Sequence, residues 1–282
     1  MSKQTTYDKV ELLNVEIDLL SLEEAINYIC DAAARDRPAG YVIKPYVEFL
    51  TAAARHSDLQ ELLNGAELSI ADGVAAQWAA HYLFAGPRSS RRFWLTLTQI
   101  AFAPAQIAWP VTERAAGTTF TWPLLHAAAD RGLRVFLVGK EAPGDIEFVA
   151  ATILRTLPNL RIVGTAAGRD LDSPYGHVGP EWIELLATRI KDSGGDLVLT
   201  GMGFPLQEKV NAELARRLSH GILIGEGGTF DYDSFGGPRR KAPAAIGRAG
   251  LEWLWRLVQE PRRLRRQLAV PYFIYLIWKS RR

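Results

Sequence analysis

The stretch Asp196–Asp233, DLVLTGMGFPLQEKVNAELARRLSHGILIGEGGTFDYD, constrains the fold more than any other. Asp196–Thr200 is a short apolar run with the pattern of a buried parallel strand. The turn Gly201-Met202-Gly203-Phe204-Pro205 follows at once. Leu206, Val210, Leu214 and Leu218 then recur at a four-residue step, which fits one face of a helix. Ile222–Gly225 reads as a second buried strand and ends in Glu226-Gly227-Gly228-Thr229. Strand, turn, helix, strand, turn places two glycine turns at the carboxyl ends of parallel strands, where open α/β sheets bind ligands. Backbone N–H groups and a helix N-terminus there suit a diphosphate. The first turn alone is weak evidence. Leu206 stands where a dinucleotide fingerprint has its third glycine, and a tight turn after a buried strand explains Gly201-x-Gly203 equally well.

The same rhythm runs through the chain. Val10–Ile17 predicts an opening strand or hairpin. Ser21-Leu22-Glu23-Glu24 is a capping box for a helix with Leu22, Ala25, Ile26 and Ile29 on one face. Tyr41–Ile43 and Leu68–Ile70 read as short strands, with a helix over Val47–Leu63 between them. Arg134–Val138, ended by Gly139-Lys140, is another buried strand. Helices are expected around Pro123–Arg131, with Pro123 in the first turn, and over Pro143–Leu157 and Glu181–Lys191. Arg161–Gly164 is a strand. Repeated βα units predict an α/β fold, a Rossmann-like, mostly parallel sheet flanked by helices. Asp72 follows the Leu68–Ile70 strand and precedes Gly73, so it sits at the mouth of the sheet. That position suits a general base, while position alone slightly favours the other reading, an N-cap for the next helix.

Charge divides the chain. Of its 282 residues and net charge of +2, the part after Asp233 carries twelve Lys or Arg against Glu252 and Glu260, about +10, leaving about −8 for the rest. Ala269–Trp278 within that part is nearly all apolar and aromatic. Arginines beside Trp, Tyr and Phe are what a membrane-surface segment needs, so an anionic membrane is the expected partner rather than nucleic acid. Phe93–Pro110 is eighteen residues without a charge, preceded by Arg88, Arg91 and Arg92. Prolines and glutamines interrupt it, so residues 86–110 predict a lipid- or partner-contacting insertion, a core hairpin or an oligomer contact rather than a span. Domain boundaries follow: a catalytic α/β domain at 1–237 and a basic, aromatic, helical appendage at 238–282. The one cysteine, Cys30, excludes a disulfide framework and reads as a small core residue. The N-terminus shows no apolar signal region. The five histidines are scattered, which offers no metal site.

Several segments together resemble the WecG/TagA/CpsF glycosyltransferase family. They are IADGVA at 70–75, ERAAG at 113–117, RVFLVGK at 134–140, GMGFPLQEK at 201–209, GEGGTFDY at 225–232 and KAPAAIGRAGLEWLWRLVQEPRRL at 241–264. Order and spacing agree over nearly the whole chain. The resemblance implies an inverting, metal- and cofactor-free transfer of a sugar from a UDP-sugar to a polyprenyl-diphosphate-linked saccharide. It implies work in surface polysaccharide synthesis, peripherally at the cytoplasmic face of the bacterial inner membrane. Carried over residue by residue, it makes Asp72 the base. The turns at Gly139, Gly201, Gly203 and Gly228, with Arg114, Gln207, Glu208 and Asp231, become the substrate-binding set. Arg248, Arg256 and Arg263 of the appendage would steady the leaving diphosphate, as always-charged guanidinium groups can without a metal.

Three departures from the family pattern stand out. Lys44-Pro45-Tyr46 replaces a Thr-x-Asn pair and bears on the acceptor. Lys241-Ala242-Pro243 replaces Arg-Ala-Pro, keeping charge but losing a planar fork. The stretch at 86–110 is longer and more apolar than the family's. Two other readings compete: a nicotinamide-dependent oxidoreductase, which needs the missing third glycine, and a non-catalytic membrane scaffold. A homo-oligomer is compatible with each.

Overall fold

The apolar runs come together as one six-stranded, wholly parallel sheet. The computed structural model describes residues 7–102, 104–139, 145–167, 179–241, 243, 252–259 and 268–280. Chain order gives β1 (Lys9–Leu12), β2 (Val15–Asp18), α1 (Leu22–Ala33), β3 (Gly40–Ile43), α2 (Val47–Ala53), α3 (Ser57–Asn64), β4 (Leu68–Ser69) and α4 (Val74–Phe84). Then come α5 (Ser90–Phe102), α6 (Gly117–Asp130), β5 (Arg134–Gly139), α7 (Ile146–Thr156), β6 (Arg161–Ala167), α8 (Pro180–Ser193), β7 (Leu197–Thr200), α9 (Leu206–Ala215) and β8 (Ile222–Gly225). Beyond the sheet lie α10 (Glu252–Gln259) and α11 (Ala269–Lys279). The sheet order is β4-β3-β8-β7-β5-β6, and β1 and β2 form a separate antiparallel hairpin. The α/β fold expected from the sequence is the fold found.

Strand alternation sorts the core. Val135, Leu137, Leu197, Leu199, Ile222 and Ile224 point to one face, beneath α1, α6 and α7. Phe136, Val138, Val198 and Leu223 point to the other, against Ile183, Leu186 and Ile190 of α8 and Val210 and Leu214 of α9. Both faces are therefore dry, which is why the strands read as continuous apolar runs. A third cluster lies past the β4 edge, where the hairpin, α2, α4, α5 and α11 meet around Phe49, Trp78, Tyr82 and Phe93. The two-residue edge strand β4 is held from outside: Ser69 N donates to buried Asp18 Oδ2 at 2.8 Å.

Several local expectations change. The helix over Val47–Leu63 is two helices, broken between Ala53 and Ser57. Pro123 does not open α6. That helix starts six residues earlier, at Gly117, and carries Pro123 inside it. Residues 86–110 contain a thirteen-residue helix, α5, and a single 3-10 turn over Pro104–Ile107. Its apolar residues divide: Phe93 is buried, whereas Trp94 is 61% and Leu95 54% exposed. Among the described residues no helix is long and apolar enough to cross a membrane.

The last helix is docked on the body. Phe273 and Ile277 of α11 are fully buried in the third cluster. The Phe273 ring meets Trp78 edge-on at 6.4 Å, and Trp278 meets Phe93 at 4.6 Å. Truncating a buried phenylalanine removes its transfer energy and leaves a cavity. Phe273→Ala should therefore cost about 3 to 4 kcal/mol in urea unfolding. An unchanged midpoint would show α11 to be detached from the body in solution.

Candidate active site

The carboxyl edge of the sheet collects the chemistry. Walking along it, Asp72 follows β4, Lys44 follows β3, Glu226 follows β8, Gly201 follows β7 and Gly139 ends β5. The two glycine turns sit side by side because β7 and β8 are neighbours in register, from Leu197 with Ile222 to Thr200 with Gly225. Gly203 (φ +80°) and Gly227 (φ +56°) both need the left-handed region, and a Cβ on either would meet nothing within 4 Å. Each is thus required by conformation and leaves open space beside the backbone.

Gln207 ties the turns together. It lies in the first turn of α9 and is 3% exposed. Its Oε1 accepts from Gly203 N at 3.1 Å and from Gly227 N at 2.9 Å. Its Nε2 donates to Glu208 Oε1 at 2.7 Å. Gln207 and Glu208 therefore lie beneath the turns, not at the face of the cleft. Glu208 is 1% exposed, and its Oε2 has no hydrogen-bond partner among the described residues. Burial pushes its carboxyl up to about 7, against the opposing pull of the Gln207 hydrogen bond and of Lys44.

Beside it lies a buried ion pair that sequence reasoning missed. Lys44 Nζ donates to Glu226 Oε2 at 2.7 Å, and Thr121 Oγ1 of α6 donates to the same oxygen at 2.6 Å. The Lys44 ammonium stands 5.1 Å from the centre of the Phe120 ring. The sequence signal was a lysine directly after a buried strand, paired with an acidic residue opening a glycine turn 182 positions on.

Asp72 is partly exposed, not sealed in the core. The N-cap of α4 is Gly73 and the helix starts two residues after Asp72, so the N-cap alternative does not hold. Asp72 N donates to Pro45 O at 2.9 Å, and Ala115 N donates to Ala71 O at 3.0 Å. The second bond brings the Glu113–Ala116 loop, and Arg114 with it, alongside the aspartate. Tyr46 flanks the same turn, its Cβ 3.9 Å from where a Cβ on Gly73 would stand. An aromatic run, Tyr46 to Phe49 at 4.9 Å and Phe49 to Phe204 at 4.1 Å, joins this end to the Gly203 turn.

Asp231 is held by a second missed residue, Arg239. Arg239 Nη2 donates to Asp231 Oδ2 at 3.1 Å and Nη1 to Gly228 O at 2.9 Å. Backbone bonds, Arg239 N to Asp231 O at 2.8 Å and Asp233 N to Arg239 O at 2.7 Å, fold the start of the basic segment back on the turn. Arg248 and Arg263 lie outside the described residues, as does the side chain of Arg256. Among the described residues no group of three or more His, Cys, Asp or Glu side chains is placed to hold a metal ion.

The family model of the glycosyl transferase WecG/TagA/CpsF family matches residues 10–105 and 98–282. The chain belongs to the WecG/TagA/CpsF glycosyltransferase family. It is a transferase of a family that works in cell-surface polysaccharide synthesis, with a sugar nucleotide as donor and a lipid-linked acceptor. The nicotinamide oxidoreductase reading falls with that membership. Within this WecG/TagA/CpsF chain, the motif segments at 70–75, 113–117, 201–209 and 225–232 all converge on the β4-to-β7 part of one sheet edge.

The buried carboxyl makes a stability prediction. A folded-state value raised from 4.5 to about 7 means the native protein holds a proton that the unfolded chain has lost. The Glu208 contribution is complete below pH 4.5 and is lost as pH rises through about 7. Its full size is about 3 kcal/mol. Urea melts between pH 5 and 8 should show this decline in the wild type, and Glu208→Gln should flatten it. Parallel profiles for the two proteins would refute the raised value.

Proposed function

We propose that this chain moves a sugar from a UDP-sugar onto a polyprenyl-diphosphate-linked saccharide, inverting the anomeric centre in one metal-independent displacement. The donated sugar is an N-acetylhexosamine, a hexose or a uronic acid. One observation carries the reading: a partly exposed carboxylate, Asp72, shares a sheet edge with two glycine turns two and three strands away. Strand spacing sets the nearer gap at about 10 Å, room for a sugar ring and an incoming hydroxyl between base and diphosphate.

In this mechanism the Asp72 carboxylate takes the proton of the acceptor hydroxyl. The acceptor oxygen bonds to the anomeric carbon as the bond to the UDP β-phosphate oxygen breaks. The electron pair leaves on UDP. The Gly201–Gly203 and Gly227–Gly228 turns face the diphosphate, and Gly139, Gln207, Glu208 and Asp231 shape or support them. Arg114 beside Asp72, with Arg248, Arg256 and Arg263 of the 238–282 appendage, offsets the developing charge.

An anionic membrane surface, the cytoplasmic face of the inner membrane, would present the acceptor. A surface strip supports this. The Arg55 guanidinium lies 3.9 Å from the Tyr272 ring centre, and Tyr272 and Tyr275 are 6.4 Å apart. Trp278, one helical turn on, lies 6.3 Å from Trp94 of α5. Arg88 Nη1 reaches Ser280 O at 3.4 Å beyond it. Aromatic rings between arginines, with Tyr275 55% exposed, are the chemistry of a headgroup layer.

Two measurements test the reading. UDP should raise the melting temperature of the wild type and NAD should not. Asp72→Asn should keep that UDP shift while transfer to a lipid-linked acceptor falls by about 100-fold or more. Near-normal transfer by the folded variant would remove Asp72 from the chemistry.

A further inference from the structure

The buried Lys44–Glu226 pair has no obvious reason to exist as a stabilising device. Lys44 is 6% exposed, and the Glu226 side chain is fully buried. Taking both charges out of water costs several kcal/mol each in effect, and matched apolar side chains would commonly hold such a site as well or better. Its position suggests another use. Glu226 opens the donor-side turn. Its N–H donates to Thr200 O at 2.7 Å, and its carbonyl accepts from Thr229 N at 3.0 Å, closing Glu226-Gly227-Gly228-Thr229. Its carboxylate is held from β3 by Lys44 and from α6 by Thr121. Three elements thus fix the residue from which Gly227 departs.

We propose that Lys44 is a positioning residue for sugar-nucleotide binding, pinning Glu226 so that the Gly227–Gly228 turn is preorganised for the donor diphosphate. Lys44 does not itself bind phosphate. Its ammonium is buried on Glu226, and the other carboxyl it acts on, Glu208, is negative when ionised, so the floor beneath the turns is not a cationic cradle. The Gly227 N–H is taken by Gln207 Oε1 and the Thr229 N–H by Glu226 O, so binding there falls to the Gly228 N–H, for which no described residue is an acceptor, and it holds an anion only while the turn keeps its geometry. The neighbouring Gln207 bond to Gly227 N supplies the second constraint on the same turn. Lys44 begins the Lys44-Pro45-Tyr46 segment, so one short stretch props the donor turn with its first residue and flanks Asp72 with its last.

This rests on the UDP-sugar reading above, and the test separates the two. UDP affinity is measured by calorimetry, with stability followed by urea melts, for Lys44→Met, the paired replacement Lys44→Met/Glu226→Leu, and Thr121→Val. Lys44→Met leaves a buried carboxylate without its cation, so both stability and UDP affinity should fall, the latter about tenfold or more. The paired replacement should regain most of the stability, because neither charge remains, yet bind UDP as weakly as the single variant. Thr121→Val, which keeps the ion pair, should fold and weaken UDP binding by a smaller factor. In turnover the loss should appear as a raised KM for the donor with the acceptor KM unchanged. Recovery of wild-type UDP affinity by the paired replacement would reduce the pair to a structural element and overturn the proposal. So would wild-type affinity in both Lys44→Met and Thr121→Val. A wild type that ignores UDP would overturn the functional reading, and this inference with it.

Discussion

The side-chain amide of Gln207 is the constraint from which the site follows. Two parallel strands can carry glycine turns at their ends without those turns having any fixed relation. Here one oxygen accepts an N–H from each, Gly203 and Gly227, and so locks their separation to the span of a single atom. The amide is itself fixed by Glu208, whose own carboxyl is buried. An amide suits this place better than a carboxylate. It offers an acceptor to the turns and a donor to its neighbour, and it adds no further negative charge beneath the turns.

A buried polar layer under the turns interrupts the otherwise dry sheet. Lys44, Thr121, Glu226, Gln207 and Glu208 form a buried set between the strand ends and the helices α6 and α9. Such a set is costly to desolvate and tolerates few arrangements, because each broken bond strands a buried group. That intolerance favours one conformation of the turns above it. Apolar residues in the same places would pack at lower cost and leave the glycines freer. Rigidity of the turns, more than extra stability of the fold, is what the buried polar groups contribute.

Much of the fold was legible because both sheet faces are covered. Unbroken apolar runs at 135–138, 197–199 and 222–224 left little choice but buried parallel strands. Boundaries failed where local signals were ambiguous. Pro123 looked like a helix start and lies in a helix interior, since the preceding turn from Gly117 packs Phe120 and Thr121 into the core. The break after Ala53 carries no glycine or proline to announce it. In the site, Asp72 and the glycine turns could be read because a strand end followed by glycine marks a position. Lys44, Thr121, Glu226 and Arg239 could not, because their meaning lies in a partner far along the chain. A lysine is exposed far more often than buried, and nothing near Lys44 in sequence names Glu226 as the group that compensates it.

The basic segment is legible as composition but not as placement, and its described parts show why that matters. By charge alone, about +10 after Asp233 is compatible with a free, solvated tail. Instead the chain is anchored repeatedly. Arg239 is drawn onto Asp231 and Gly228 at the second glycine turn. Trp255 Nε1 and Gln259 Nε2 of α10 both donate to Arg240 O, at 3.1 and 3.0 Å. Phe273 and Ile277 then bury α11 in the cluster beyond β4. Each anchor uses a group of a different kind: a guanidinium on a carboxylate, side-chain amide and indole donors on a backbone carbonyl, and apolar rings in a core. Arg239 sits next to the Gly227–Gly228 turn, and α11 lies past the β4 edge, on the side of the sheet that carries Asp72. Because Arg239 and α11 are both held on the body, the described ends of the basic segment belong to the same physical unit as the sheet edge. In the mechanism proposed above, electrostatic help for the leaving diphosphate would come from a segment tethered at both of its described ends rather than from a freely diffusing tail.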